Sequence, residues 1–318
     1  MSTTTTTQTR VLQHGRLLPA LEARLAATHD VHPLWEEADP KAFLAAHGGE
    51  FTALVTSARF GADAAMIAAL PALRVISSFG VGLDAIDLDA ARARGIAVGY
   101  TPDVLNDCVA DTAFALVMDV ARRITESDRF VRRGDWQRGQ FPLATRVSGK
   151  KLGILGMGRI GRVIARRASG FDMEVRYHNR RRLDDVDHGY AETLEELAGW
   201  ADFLVIASAG GAETRGLVSR AILDALGPQG YLVNISRGTV VDEQALVEAL
   251  RDKRIAGAGL DVFEDEPNVP EALLALDNVV LLPHLASNTH ETRAAMAQRV
   301  EDNLAAFLAG RPMISAAA

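Results

Sequence analysis

The chain has 318 residues, of which 48% are hydrophobic and 24% charged, and its formal net charge is −7. This composition is typical of a globular protein with room for two domains, and the negative charge argues against nucleic acid as a partner. No apolar run approaches the roughly 18 residues needed to cross a bilayer, and the single cysteine, Cys108, excludes an intrachain disulfide, so we expect a cytoplasmic protein without a membrane partner.

The first part of the chain alternates short β-branched runs with runs of helical periodicity. The threonine-rich residues 1–9 lack the apolar core of a secretory signal, and we predict a disordered tail there. Strands are predicted over residues 51–56, 73–77 and 96–100, and a helix over residues 62–69. Thr101-Pro102-Asp103 then provides a break and an N-cap for a long helix over residues 105–123.

From residue 151 the alternation of strands and helices is stricter. Strands are predicted over residues 152–155, 174–178, 203–207, 231–235, 257–262 and 279–282, and helices fall between most of them. This pattern predicts a parallel, doubly wound α/β sheet. A last helix, over residues 291–308, returns to the first domain. The first domain is therefore discontinuous, with residues 1–100 and 288–318, and a second domain takes residues 101–287.

The segment KLGILGMGRIG, residues 151–161, places three glycines after an apolar strand and at the start of a helix. Gly156 permits a tight turn, Gly158 lets the backbone approach a ligand, and Gly161 lets the helix pack against its strand. Unpaired N–H groups and the positive end of the helix dipole favour a pyrophosphate at this point. The motif therefore predicts a dinucleotide site.

The turn after the second strand of this domain indicates which dinucleotide binds. An acidic residue there holds the ribose 2′-hydroxyl of NAD, whereas arginine accommodates a 2′-phosphate. This chain has the uncharged Asn179, followed by Arg180, Arg181 and Arg182. Guanidinium groups bind phosphate in a bidentate manner, so we expect NADPH, with NADH as the weaker alternative.

Three segments at predicted strand ends carry the side chains needed to reduce a 2-keto acid. Arg237 has the charge and shape to grip a substrate carboxylate, and His284 to protonate a carbonyl oxygen as hydride reaches the carbon. Glu266 is our candidate for the carboxylate that orients the imidazole. Asp261 is better placed to orient the nicotinamide carboxamide than to take up or release a proton. Ligands collect at the carboxyl ends of parallel strands, where these side chains converge.

These motifs together resemble those of the D-isomer-specific 2-hydroxyacid dehydrogenases. The similarity rests on GMGRIG, NISRGTVVDE, LDVFEDEP, LLPHLASNTHETR and, in the first domain, SSFGVGLDAID at residues 77–87, and it covers nearly the whole chain after the tail. It implies two Rossmann-like doubly wound domains, a discontinuous, flavodoxin-like substrate domain and a dinucleotide-binding domain. It also places Arg237, Glu266 and His284 on the catalytic residues of the family, and Asp261 on its nicotinamide-contacting residue.

The resemblance further implies where substrate and cofactor bind. The backbone N–H groups of Val81 and Gly82 would bind the substrate carboxylate, with Ser287, Arg237 and His284 completing the substrate contacts. The cofactor contacts it implies are Thr112, Gly156, Met157, Gly158, Arg159, Ile160, Gly161, Asn179, Arg180, Arg181, Ser208, Ala209, Thr214, Ile235, Ser236, Arg237, Asp261, His284 and Ala286. No metal ligand set is expected.

Within the family, the chain is most similar to the glyoxylate/hydroxypyruvate reductases, including the plant hydroxyphenylpyruvate reductases, which generally prefer NADPH. The predicted reaction is the reduction of glyoxylate, hydroxypyruvate or an arylpyruvate to a D-2-hydroxy acid, with His284 as proton donor. The family also implies a homodimer joined through the dinucleotide-binding domains, with the arm at residues 136–142 in the contact.

Two alternatives stay open. One is an NADH-linked dehydrogenase of another substrate, although phosphoglycerate is disfavoured because no regulatory domain follows residue 318. The other is a dinucleotide-sensing corepressor, against which we weigh the arginine-rich turn and the lack of long flanking segments.

The chain departs from its relatives at two loops. Residues 207–214 read ASAGGAET where Pro-Leu-Thr-Pro-Glu-Thr is common, which predicts a more mobile loop. Ala286-Ser287-Asn288 replaces the commoner Gly-Ser-Ala, which leaves the fine substrate selectivity open.

Overall fold

A computed structural model describes residues 9–317. The chain forms two compact units, one from Met1–Leu105 together with Thr289–Ala318 and one from Asn106–Asn288. The sequence analysis places the corresponding boundaries after residues 100 and 287. Of the tail predicted over residues 1–9, all but Thr9 lies outside the described residues.

The first unit contains a five-stranded, fully parallel sheet. Its strands are β1 (Arg10–Gln13), β2 (Asp30–Pro33), β3 (Ala53–Ser57), β4 (Val75–Phe79) and β5 (Ala97–Gly99). Its helices are α1 (Pro19–Thr28), α2 (Pro40–His47), α3 (Ala64–Ala69), α4 (Leu88–Ala93) and, from the end of the chain, α12 (His290–Leu308). The strand order is β2-β1-β3-β4-β5, the doubly wound order of flavodoxin-like folds.

Helix α12 completes the first unit. Thr289 caps its N-terminus by accepting a hydrogen bond from the N–H of Thr292 at 3.2 Å. The buried hydroxyl of Ser77, on β4, donates to the carbonyl of Val300 at 2.9 Å. Asn303 is fully buried, and its amide donates to the carbonyl of Tyr100 at 3.0 Å. The C-terminal helix is therefore bonded directly to the sheet of the first unit.

The second unit contains a seven-stranded, fully parallel sheet. Its strands are β6 (Lys151–Leu155), β7 (Glu174–His178), β8 (Gly189–Tyr190), β9 (Phe203–Ile206), β10 (Tyr231–Asn234), β11 (Gly257–Leu260) and β12 (Val279–Leu281). Its helices are α5 (Asn106–Arg122), α6 (Ile124–Arg132), α7 (Arg159–Ala168), α8 (Leu194–Trp200), α9 (Arg220–Leu226), α10 (Glu243–Arg251) and α11 (Glu271–Leu274). The strand order is β12-β11-β10-β9-β6-β7-β8, so the direction of winding reverses between β6 and β9.

These sheets confirm the predicted α/β class with two doubly wound sheets. Strands β1, β2 and β8 were not predicted, because they are short and only partly apolar. The predicted helix over residues 105–123 ends one residue earlier, at Arg122, and Arg123, with a φ of +54°, turns the chain into the separate helix α6. Among the helices of residues 9–317, none has both the length and the apolar character required to cross a membrane.

Candidate active site

The glycine motif lies at the reversal point of the second sheet, between β6 and α7. Gly156 has a φ of +100°, and a Cβ there would stand 2.5 Å from the backbone nitrogen of Ser208. A Cβ on Gly161 would stand 2.2 Å from the carbonyl oxygen of Gly156, which shows how closely α7 packs on the turn. Both positions therefore require glycine.

Gly158 has the opposite environment, since a Cβ there would meet no atom within 4 Å. It is also the N-cap of α7, and no side chain caps this helix. The positive end of the dipole of this ten-residue helix therefore lies beside the open space over Gly158. This environment fits a dinucleotide pyrophosphate.

The turn after β7 carries the residues expected to select the dinucleotide. The side-chain oxygen of Asn179 accepts a hydrogen bond from the N–H of Met157 at 2.7 Å, which ties this turn to the glycine motif. Arg181 and Arg182 are exposed. Arg180 is exposed as well and forms an ion pair with Glu213.

Glu213 belongs to the segment of residues 207–216, which follows β9 and which we call the 207–216 loop. The hydroxyl of Thr214 donates to the carbonyl of Ala209 at 2.9 Å, within the loop itself. Arg215 forms an ion pair of 2.8 Å with Glu264. The hydroxyl of Ser208 is buried and has no hydrogen-bond partner among residues 9–317.

The central catalytic candidates are in direct contact. The Nδ1 atom of His284 lies 2.7 Å from a carboxylate oxygen of Glu266, and the imidazole is about half exposed. The other carboxylate oxygen accepts a hydrogen bond from the N–H of Phe263 at 3.2 Å. The carboxylate therefore fixes the ring and leaves Nε2 as the atom that can face a substrate.

The pKa of Glu266 reflects these contacts. Partial burial opposes ionisation of the carboxyl group. The hydrogen bond and charge of His284, the Phe263 amide and the charge of Arg237 outweigh burial, and they lower the pKa of Glu266 below its usual value. The carboxylate is thus ionised at neutral pH, in the form that stabilises an imidazolium.

Asp261 anchors the loop that carries His284. Its side chain is fully buried, and its two oxygens accept hydrogen bonds from the N–H groups of Leu285, at 2.7 Å, and Ala286, at 3.0 Å. Burial raises the pKa of Asp261, and the two amides act in the opposite direction. Sequence reasoning assigned this residue only to the cofactor, whereas the structure shows that it also holds the backbone next to His284.

Arg237 follows β10 in a turn that other residues hold in place. The buried Asn234 donates to the carbonyl of Arg237 at 2.9 Å and accepts from the N–H of Ser236 at 3.1 Å. A Cβ on Gly238 would stand 1.9 Å from the backbone of Phe263, so this turn packs directly on the loop that leads to Glu266. Asn234 was not among the predicted site residues, although a polar residue at the end of the apolar run YLV was a signal that the sequence contained.

The remaining predicted residues fall in three places. Ile235 and Ser236 are buried directly after β10, and the Ser236 hydroxyl donates to the Ser208 carbonyl. The Thr112 hydroxyl, on α5, lies 3.5 Å from the carbonyl of Ala286. Ser287, the residue after Ala286, is half-buried. Val81 and Gly82 lie in the first unit, between β4 and α4.

Comparison with known proteins now identifies the family. Residues 114–286, more than half of the chain, match the family model described as D-isomer specific 2-hydroxyacid dehydrogenase, NAD binding domain. The chain belongs to the D-isomer-specific 2-hydroxyacid dehydrogenases. It is therefore an NAD(P)-dependent oxidoreductase that binds a nicotinamide dinucleotide, as the sequence analysis predicted.

Two plant relatives of this dehydrogenase are 46% identical to it over 295 residues. They are hydroxyphenylpyruvate reductase of Plectranthus scutellarioides and glyoxylate/hydroxypyruvate reductase A of Arabidopsis thaliana, and each alignment covers 93% of this chain and 94% of the relative. A solved structure of the NADPH-dependent glyoxylate/hydroxypyruvate reductase of Sinorhizobium meliloti, in complex with NADP and malonate, superimposes with a TM-score of 0.92. It is 41% identical, and the match covers 98% of this chain and 97% of that chain.

Proposed function

We propose that this dehydrogenase reduces small 2-keto acids, glyoxylate and hydroxypyruvate first and arylpyruvates as further candidates, to D-2-hydroxy acids with NADPH. The observation that carries the proposal is the 2.7 Å contact between His284 and Glu266, on the unit that also holds the glycine motif and Arg237. The names of the plant and Sinorhizobium relatives support the same substrates.

Each residue of this group has a distinct role in the proposed reaction. His284 donates a proton from Nε2 to the carbonyl oxygen of the substrate, while ionised Glu266 stabilises the imidazolium through Nδ1. Arg237 grips the substrate carboxylate through its planar guanidinium and polarises the neighbouring carbonyl. Asp261 keeps His284 in place through the N–H groups of the residues that follow it.

The second unit offers matching contacts for the dinucleotide. The open space over Gly158 and the uncapped start of α7 would hold the pyrophosphate, and the unpartnered hydroxyl of Ser208 would donate to the cofactor. The bound nicotinamide supplies the hydride. The other residues predicted to contact the cofactor, including Ile235, Ser236, Thr112 and Ala286, belong to this proposal.

The preference for NADPH is supported by the turn after β7. Asn179 carries no charge that would repel a phosphate, and Arg180 and Arg181 are exposed cations that a 2′-phosphate can bind.

The first unit supplies the remaining proposed substrate contacts. Backbone N–H groups of Val81 and Gly82 would bind the substrate carboxylate. The turn that presents them needs glycine at position 80, because Gly80 has a φ of +145° and a Cβ there would stand 2.6 Å from the Cβ of Ala58. Ser287 belongs to the same proposed set.

We also propose that the protein is a homodimer joined through its second units. Four large apolar side chains are exposed in and after α6, namely Ile124 (48%), Val131 (53%), Trp136 (69%) and Leu143 (100%). Leu143 also lines a cavity of about 720 Å³ together with Tyr231, Ile255 and Val279. Exposed apolar surface of this kind is typical of a protein contact, and a second copy would cover it.

The proposed function is tested by initial rates with purified protein. Glyoxylate, hydroxypyruvate and phenylpyruvate are each assayed with NADPH and with NADH. We expect turnover of at least one of these acids with a clear preference for NADPH. Turnover mainly with NADH would overturn the cofactor preference alone, whereas dinucleotide binding without turnover of any of them would overturn the proposed reaction.

A further inference from the structure

An ion pair crosses the dinucleotide side of the second sheet. Arg180 follows β7 and Glu213 lies in the 207–216 loop after β9, and these two strands flank β6 on either side. The pair therefore spans the end of β6, where the glycine motif begins. Both side chains are largely exposed, Arg180 by 86% and Glu213 by 76%.

The loop presents Glu213 to Arg180 through its own contacts. The Thr214 hydroxyl donates to the Ala209 carbonyl at 2.9 Å and lies 3.2 Å from the Gly211 carbonyl, so the loop folds back on itself beside Glu213. Arg215 is bound to Glu264 at 2.8 Å, which holds the next residues of the loop. The position of Glu213 is thus defined although its side chain faces solvent.

A carboxylate and a phosphate compete for the same guanidinium group, because both are bidentate acceptors of its N–H donors. Arg180 is a residue to which we assign the 2′-phosphate of NADPH, and Glu213 already occupies it. NADH has a single hydroxyl group in place of the 2′-phosphate and leaves the ion pair intact.

We propose that Glu213 is a specificity-determining residue that weakens the binding of NADPH, but not of NADH, by competing for Arg180. The inference rests on the proposed preference for NADPH. Removing the charge of Glu213 then raises this preference. We expect the dissociation constant for NADPH to change by only about two- to fivefold, since exposed ion pairs are weak.

The test compares Glu213→Gln with the wild-type protein, with dissociation constants for NADPH and NADH measured by nicotinamide fluorescence. We expect the constant for NADPH to fall about two- to fivefold and that for NADH to stay the same. The matched control is Glu248→Gln, which removes the same charge from another arginine ion pair of the second unit, with Arg220, and leaves both constants unchanged. Weaker NADPH binding, or an equal change for both cofactors, would overturn the inference.

A second arm separates this inference from the proposed function. Arg180→Ala is expected to weaken the binding of NADPH far more than that of NADH. Equal losses of affinity for the two cofactors would overturn the role of Arg180 in cofactor choice. In the double variant Arg180→Ala/Glu213→Gln, the effect of the Glu213 change should disappear. If Arg180→Ala is selective for NADPH but the Glu213 effect persists in the double variant, the competition mechanism alone is wrong.

Discussion

His284 has a backbone conformation that few side chains adopt, with a φ of +50°. Left-handed geometry at a non-glycine residue persists only where surrounding contacts impose it. Asp261 provides two of these contacts, at the N–H groups of Leu285 and Ala286, and Glu266 provides a third at the imidazole. The orientation of His284, the proposed proton donor, thus depends on the carboxylates of Glu266 and Asp261.

Replacement of the proton donor tests the proposed chemistry directly. We expect His284→Ala to lower kcat by roughly 10²–10⁴-fold, the usual contribution of general acid catalysis. The control is His188→Ala, which removes an exposed histidine of the same unit. Steady-state rates at neutral pH decide the matter, and an unchanged kcat in His284→Ala would remove this residue from the proton-donor role.

Asp261→Asn tests the anchoring of the His284 loop. An asparagine has one acceptor oxygen, so one of the two buried N–H groups would lose its partner, at a cost of about 1–3 kcal/mol. We expect kcat to fall roughly ten- to hundredfold. The measurement is kcat together with the dissociation constant of the dinucleotide. A loss confined to dinucleotide binding would show that Asp261 serves the cofactor only.

The pH dependence of stability tests the contacts of Glu266. Because its pKa is lowered in the folded state, Glu266 stabilises the protein above the ordinary glutamate value of about 4.3 and loses this effect as pH falls through the folded value. Glu266→Gln should therefore have a lower melting temperature than the wild type at neutral pH. The difference should shrink on acidification, as measured by thermal denaturation between about pH 3 and pH 7. A difference that is constant across this range would contradict the assignment.

At the scale of elements, the 207–216 loop packs against Arg237, the residue proposed to bind the substrate carboxylate. A Cβ on Gly210 would stand 2.5 Å from Cγ of Arg237, so the arginine stem fills the space left by the glycine. Gly210 and Gly211 were the basis on which the sequence predicted a more mobile loop. The structure assigns one of them a packing role, which no propensity argument would reveal.

Gly210→Ala should displace Arg237 and lower kcat/KM for the 2-keto acid about ten- to hundredfold, because small misplacements of substrate-binding groups are costly. The control is Gly170→Ala, at a glycine where a Cβ would meet no atom within 4 Å. Equal kcat/KM values for the two variants would show that Arg237 adapts to the added methyl group.

The elements differ in how far the sequence predicts them. Strands β6, β9 and β10 were predicted because they are mainly apolar, and β7 because Val175 and Tyr177 alternate with polar residues. These four strands lie around the reversal point that holds the candidate site. The end of α5 near residue 123 was predicted, but the separate helix α6 was not, since the left-handed turn at Arg123 leaves no local signal in a residue other than glycine. The pairing of Arg180 with Glu213 was also missed, because it joins residues 33 positions apart.

At the scale of the whole molecule, the apolar side chains after α6 determine the proposed assembly. Leu143→Glu places a charge on a fully exposed leucine beside the cavity, and burial of that charge in a dimer contact is unfavourable. We expect the wild type to sediment as a dimer and this variant to shift toward monomer. Leu308→Glu, at an exposed leucine of the first unit, serves as the control and should sediment like the wild type.

The return of the chain to the first unit has a consequence for biosynthesis. Residues after 288 complete the first unit, and their helix is bonded to β4 and to Tyr100. A ribosome synthesises them only after all of Asn106–Asn288. The second unit can therefore fold on the ribosome before helix α12, which completes the first unit, has been synthesised. Premature termination near residue 288 would leave the polypeptide with one finished unit and one exposed sheet, a natural target for proteolysis.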